Sequence, residues 1–171
     1  MTTKTKITMK IKIKLTKDGA IVPCRATDGA AAYDVYVPKD TIVYPGRQVV
    51  PLGFAMELPQ GYCAEIHPRS GYASKGVEGY RCILSENGSV IAVKNTPTRY
   101  EADIIYGLID EDYRGEVGAI INNIESVGFA LAAGTRIAQM VIRKVEPTEF
   151  ETVEELSTTS RGDGGFGSTN K

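Results

Sequence analysis

Five short segments of this chain combine residue types that do chemistry together. The first, Ala31-Ala32-Tyr33-Asp34-Val35-Tyr36, sets one carboxylate among small and aromatic residues, and alone it reads as a turn aspartate. The second is Pro68-Arg69-Ser70-Gly71-Tyr72-Ala73-Ser74-Lys75-Gly76, where a guanidinium, a hydroxyl and an unencumbered main-chain N–H follow a strand-ending proline. That set suits phosphate oxygens, because arginine offers forked donors and glycine lets an anion reach the backbone. A capped turn with a surface salt bridge is the equally simple alternative. The third, Gly107-Leu108-Ile109-Asp110-Glu111-Asp112-Tyr113-Arg114-Gly115-Glu116-Val117, crowds four acids around a tyrosine. Like charges so close raise one another's pKa, and a buried member would make a general base; the other reading is an acidic turn facing water or a hydrated cation. If extended, the segment puts Leu108, Asp110 and Asp112 on one face and Ile109, Glu111 and Tyr113 on the other, so the acids need not act together. The fourth, Gly134-Thr135-Arg136-Ile137-Ala138-Gln139-Met140-Val141, alternates as a strand and sets Gln139 among apolar neighbours, where its amide needs a backbone group or a ligand. The fifth, Arg161-Gly162-Asp163-Gly164-Gly165-Phe166-Gly167-Ser168-Thr169, joins main-chain donors, a cation and a flat ring, the three things a nucleotide requires. No lysine and no helix follow its glycines, so it is not a Walker loop, and by composition alone it reads as a disordered tail.

Positioning such groups falls to short strands. Residues 41–44, 48–58, 62–67, 83–84, 90–93, 117–122, 129–132 and 137–145 are β-rich and separated by turn residues, and Asn87-Gly88 is a strong hairpin signal. Many short strands with regular breaks predict an all-β sandwich or barrel, with at most a short helix after Ser70, closing over residues 73–76. At the N-terminus Lys4, Lys6, Thr8, Lys10, Lys12 and Lys14 alternate with Ile7, Met9, Ile11, Ile13 and Leu15, the pattern of a half-buried strand. Its lysine row reads first as an edge protected against aggregation and second as a phosphate-binding edge. Acids dominate the other end, with five acids and no base over residues 146–155.

The whole chain has 171 residues, 42% of them hydrophobic, and a net charge of −1, which fits one globular domain that buries roughly 70% of its unfolded surface. The charge balance argues against a nucleic-acid partner, and no run approaches the ~20 apolar residues that span a bilayer, so no membrane partner is expected. Three separated cysteines and one histidine argue against a disulfide framework or a zinc site and for a reducing, cytoplasmic setting.

In this order the five segments resemble the five motifs of the trimeric deoxyuridine triphosphatase (dUTP pyrophosphatase) family, from the N-terminal strand to Thr169. The most specific parts are Ile109-Asp110-Glu111-Asp112-Tyr113-Arg114-Gly115, Arg136-Ile137-Ala138-Gln139 and the segment from Arg161 to Thr169. The resemblance implies a distorted jelly-roll β-barrel over residues 1–156, a mobile arm over 157–171, and a homotrimer with shared active sites. It implies hydrolysis of dUTP to dUMP and pyrophosphate by water attack on the α-phosphorus, which limits uracil incorporation into DNA and supplies dUMP for thymidylate synthesis. On the same basis Asp110 activates the water and Tyr113 packs under the deoxyribose, excluding a ribose 2′-hydroxyl. The hairpin of Gly107, Leu108 and Ile109 pairs with the uracil edge. Arg69, Ser70 and Gly71 hold phosphates with Gln139 contributing, Arg161 reaches the γ-phosphate, and Phe166 and Gly167 close over the uracil. Mg²⁺ is implied as bound mainly through the substrate phosphates, with no direct protein ligand and Asp34 near its water shell. General chemistry agrees, since phosphoanhydride hydrolysis depends on positioning and charge neutralisation.

The chain departs from the family pattern over residues 77–106, read as an inserted hairpin, which leaves the alignment of Asn95 with a uracil-binding asparagine open. Tyr72 stands where leucine is usual. Two rivals follow: a dCTP deaminase-like or bifunctional relative, and a regulatory protein of the same fold that binds a protein partner through the insertion.

Overall fold

The computed structural model describes residues 9–84, 87 and 89–164. Phe166 and Gly167 and the lysine row before Met9 therefore lie outside the described residues. Thirteen strands and one short helix make up this part of the chain, as the closely spaced turns predict. Four small antiparallel sheets curl around one core.

The sheet that matters for chemistry has the order β10-β6-β13-β2, formed by Gly107–Ile109 (β10), Tyr62–His67 (β6), Arg136–Lys144 (β13) and Tyr33–Tyr36 (β2). Beside it stand Gly46–Pro51 (β4), Gly118–Asn123 (β11) and Ala102–Ile105 (β9), in the order β4-β11-β9. Thr41–Val43 (β3), Phe129–Leu131 (β12), Val77–Leu84 (β7) and Val90–Tyr100 (β8) form a third sheet in the order β3-β12-β7-β8. Lys12–Leu15 (β1) pairs with Phe54–Glu57 (β5). The helix α1, Ser70–Lys75, follows β6 and includes the expected turn.

Burial of one face explains most strands. Phe54, Phe129, Leu52, Ile66, Ile121 and Leu131 are fully buried, and Tyr100 stacks on Phe129 with ring centroids 4.4 Å apart. At β1 the lysines stay exposed while Ile11 and Ile13 pack on the core.

Three expectations change. Residues 48–58 are not one strand: the chain breaks between β4 and β5 at Leu52-Gly53. Gly53 has φ +76°, and a Cβ there would stand 2.7 Å from the Ala20 Cβ, so only glycine fits. The strands flanking Asn87 are longer than the expected 83–84 and 90–93, with 8 and 11 residues that pair from Val77↔Tyr100 to Leu84↔Val90 and shift register between Gly79 and Arg81. Finally, Asp34 is not in a turn; it sits inside β2, buried.

Candidate active site

Strand β6 is the axis of the site. Its C-terminal end delivers Pro68-Arg69-Ser70-Gly71, and β13 and β2 bring Gln139 and Asp34 alongside, with Gln139 opposite both His67 and Asp34. Burying a carboxylate requires partners, and Asp34 has two: Arg69 Nε at 3.2 Å and Arg136 Nη1 at 3.3 Å. Arg69 Nη1 also donates to the Arg136 carbonyl at 3.3 Å, and its guanidinium lies 5.6 Å from the centre of the buried Tyr72 ring. Tyr72 thus forms a floor beneath the arginine. Gln139 Nε2 donates to the Pro68 carbonyl at 2.9 Å; the backbone is its partner, and this bond braces the Arg69-Ser70-Gly71 loop from behind. Ser70 and Gly71 open α1 and are exposed.

Beside this cluster lies a polar group that the sequence did not reveal. His67, Glu65 and Arg143 are joined by bonds of 2.9 and 2.7 Å to Glu65 Oε2, and the Tyr106 ring stands edge-on to His67 at 5.2 Å. The hydrogen bonds from His67 and then Arg143 hold the Glu65 carboxyl below the usual carboxylate range.

On the other side of β6, β10 is an edge strand, paired to β6 from Gly107↔Ile66 to Ile109↔Ala64. No described strand pairs with its outer side, so main-chain donors and acceptors there face a cleft of about 260 Å³. Gly107, Leu108, Ile109, Asp110, Tyr113 and Glu116 line it together with Val49, Ile66 and Ile120. Ile109 is buried and Leu108 is 55% exposed, so the segment alternates as far as Ile109 and then turns, with the Tyr113 N–H donating to the Asp110 carbonyl at 3.2 Å. The turn disperses the four acids. Glu111 accepts from the Gly61 N–H, Glu116 accepts from the Gly53 N–H at 3.0 Å and pairs with Lys17 at 2.9 Å, and Asp110 remains exposed at the cleft. Tyr113 folds over Gly115, where a Cβ would meet its hydroxyl oxygen at 2.4 Å, and that hydroxyl donates to the Glu116 carbonyl at 3.1 Å.

The two clusters do not meet in one chain. Asp110 follows Ile109, which stands opposite Ala64, whereas Arg69 lies past the far end of β6; at ~3.3 Å per residue they are roughly 20 Å apart along the strand. Arg161 lies in the exposed C-terminal segment, where its Nε donates to the Gly164 carbonyl at 2.8 Å. Asn95 falls within β8, at the far edge of another sheet. Among the described residues no three His, Cys, Asp or Glu side chains are grouped to hold a metal ion, and no helix is long and apolar enough to cross a membrane.

Comparison with known proteins gives concordant results. The family model for dUTPase matches residues 18–95 and 98–170. A deoxyuridine 5′-triphosphate nucleotidohydrolase of Nautilia profundicola is 41% identical over 164 residues, covering 95% of this chain and 100% of that protein. In fold, the chain resembles a Staphylococcus bacteriophage 80alpha dUTPase solved with dUPNHPP, with a TM-score of 0.76, 24% identity, and coverage of 96% and 100% of the two chains. It also resembles a mutant dUTPase of the Staphylococcus aureus phage phi11 described with a structural Mg(II) ion, with a TM-score of 0.67, 21% identity, and coverage of 86% and 98%.

Proposed function

The chain belongs to the dUTPase family, and from that premise we propose how it hydrolyses dUTP to dUMP and pyrophosphate. The carrying observation is the cleft beside the edge strand β10, with the exposed Asp110 at its end. Uracil presents an acceptor, a donor and an acceptor along one edge. The outer main chain of Gly107, Leu108 and Ile109 supplies the complement, and a wrong base leaves buried groups unpaired, a penalty of about 1–3 kcal/mol per group. A Cβ at Gly107 would touch nothing closer than the Ile66 Cβ at 3.9 Å, so the fold itself does not demand glycine there; close approach of a base does.

Tyr113 lies under the sugar and leaves no room for a 2′-hydroxyl. Asp110 accepts a hydrogen bond from the attacking water and orients it toward the α-phosphorus, which needs alignment more than covalent help. Arg69, Ser70 and Gly71 take the phosphates. Asp34 keeps the Arg69 fork aimed, and Gln139 works through the Pro68 carbonyl to hold the loop. Because these groups lie roughly 20 Å from Asp110 in one chain, a complete site needs phosphate-binding residues from another copy, which supports the shared-site homotrimer. The arm then carries Arg161, Phe166 and Gly167 over a site formed by its neighbours.

Mg²⁺ is the metal that family membership brings. The carboxylates here do not build a cage for it: Asp34, Glu111 and Glu116 are each engaged by protein donors. An ion held by the triphosphate oxygens fits the arrangement, and its chemistry would be to neutralise charge on the phosphates.

Pyrophosphate release measured across dUTP, UTP, dTTP and dCTP tests the reading. Turnover of dUTP alone is expected, and Asp110→Asn should abolish it while nucleotide still binds. Ammonia release from dCTP, or normal turnover by Asp110→Asn, would overturn it.

A further inference from the structure

Tyr113 is 46% exposed, and the place of its ring is set chiefly from one side. Its hydroxyl is hung on the Glu116 carbonyl, and its ring lies over Gly115. Where the ring stands therefore depends on what fixes residue 116. Glu116 is anchored twice over. One carboxylate oxygen takes the Gly53 N–H at 3.0 Å, and the other pairs with Lys17 at 2.9 Å, with the Thr16 side chain adding a hydrogen bond. The main chain just after it is stitched to the same place: Leu52 N–H donates to the Val117 carbonyl at 2.9 Å, and Val117 N–H donates to the Phe54 carbonyl at 2.8 Å. Lys17 is held close by in turn, since Thr16 N–H donates to the Gly53 carbonyl at 2.8 Å. Residues 16–17 and 52–54 form a socket for the end of the turn that begins at Asp110. Both charged side chains are only about a third exposed, so the pair is less screened than an ordinary surface bridge.

We propose that Glu116, seated by Lys17 and the Gly53 N–H, is a positioning residue that fixes the height of the Tyr113 ring and thereby sets how strongly the site rejects ribonucleotides. This rests on the reading of the cleft as the deoxyuridine site. Neither Glu116 nor Lys17 is among the residues assigned above to the phosphates or the attacking water. Loss of the tether should let the ring drift, admitting a 2′-hydroxyl, while the chemistry on dUTP changes less.

The test compares kcat/KM for dUTP and UTP in the full chain and in Glu116→Ala, Glu116→Gln and Lys17→Met. Glu116→Ala should lower dUTP-over-UTP selectivity about tenfold, through better use of UTP more than poorer use of dUTP. Glu116→Gln keeps an acceptor for Gly53 and should recover most of that selectivity. Lys17→Met should lose about threefold, the smaller effect of removing one of two anchors. Equal losses on both substrates, leaving the ratio within about twofold of the parent, would mark a purely structural role and overturn the proposal. If Glu116→Ala does not fold, the ratio in Lys17→Met decides the matter, and an unchanged ratio there overturns it. A parent chain without dUTP turnover would instead defeat the functional reading beneath it.

Discussion

Two substitutions separate ligand chemistry from fold. Gly107→Ala adds a methyl group that meets only ordinary contact at 3.9 Å inside the protein. Thermal stability should stay within about 0.5 kcal/mol of the parent, while KM for dUTP rises at least about tenfold because the base loses its close approach to the strand. Unchanged kinetics would move the uracil elsewhere. Asp34 gives the complementary case. Asp34→Asn keeps the shape but removes the charge that both Arg69 and Arg136 face, and kcat/KM should fall about tenfold, ~1.4 kcal/mol in transition-state binding. The loss should appear mainly in the affinity for pyrophosphate, measured as product inhibition. A variant with normal pyrophosphate affinity would show that Arg69 needs no such aim. Asp34 also marks the limit of local reading. A carboxylate in Tyr-Asp-Val-Tyr reads as a turn because the arginines that make its burial tolerable come from distant parts of the chain.

Among elements, the β-rich run bounded by turn residues is the reliable guide. It picks out β6, β11, β12 and β13 nearly to their ends. It failed over residues 48–58, where apolar residues run on without a polar face and the break lies in the backbone of Gly53. Motif chemistry locates the acidic turn after Ile109, yet the directions of Glu111 and Glu116 follow from distant partners, Gly61, Gly53 and Lys17, that no spacing encodes. The socket for this turn should respond to acid. Burial opposes ionisation of Glu116, but the hydrogen bond and charge of Lys17, with the Gly53 N–H, outweigh it and hold the carboxyl below its ordinary value of 4.5. A carboxyl whose pKa is lowered on folding contributes stability above its unfolded value and loses it as pH falls through the folded one. The difference in Tm between the parent and Glu116→Gln should therefore be constant near neutrality and shrink below pH 4.5. A difference that persists undiminished into acid would show that the charge is not what holds the turn.

For the whole molecule, the distance between Asp110 and Arg69 makes a prediction about mixtures. Asp110→Asn and Arg69→Ala should each be inactive alone. Unfolded together and refolded, they should regain activity, since a site pairing an intact Asp110 from one chain with an intact Arg69 from another then exists. No recovery in mixed assemblies of the right mass would argue for sites built within single chains. The edge strand β10 has a different kind of consequence. A base recognised by the main chain is recognised by atoms that every codon specifies alike, so point mutations at Leu108 or Ile109 have little to rewrite. Changing which base is accepted would require shifting the pairing of β10 against β6. Such a shift is a coordinated event that carries the turn at Asp110 with it. If uracil is read at β10 as proposed, base choice is thereby shielded from gradual drift, while the side chains around it remain free to vary.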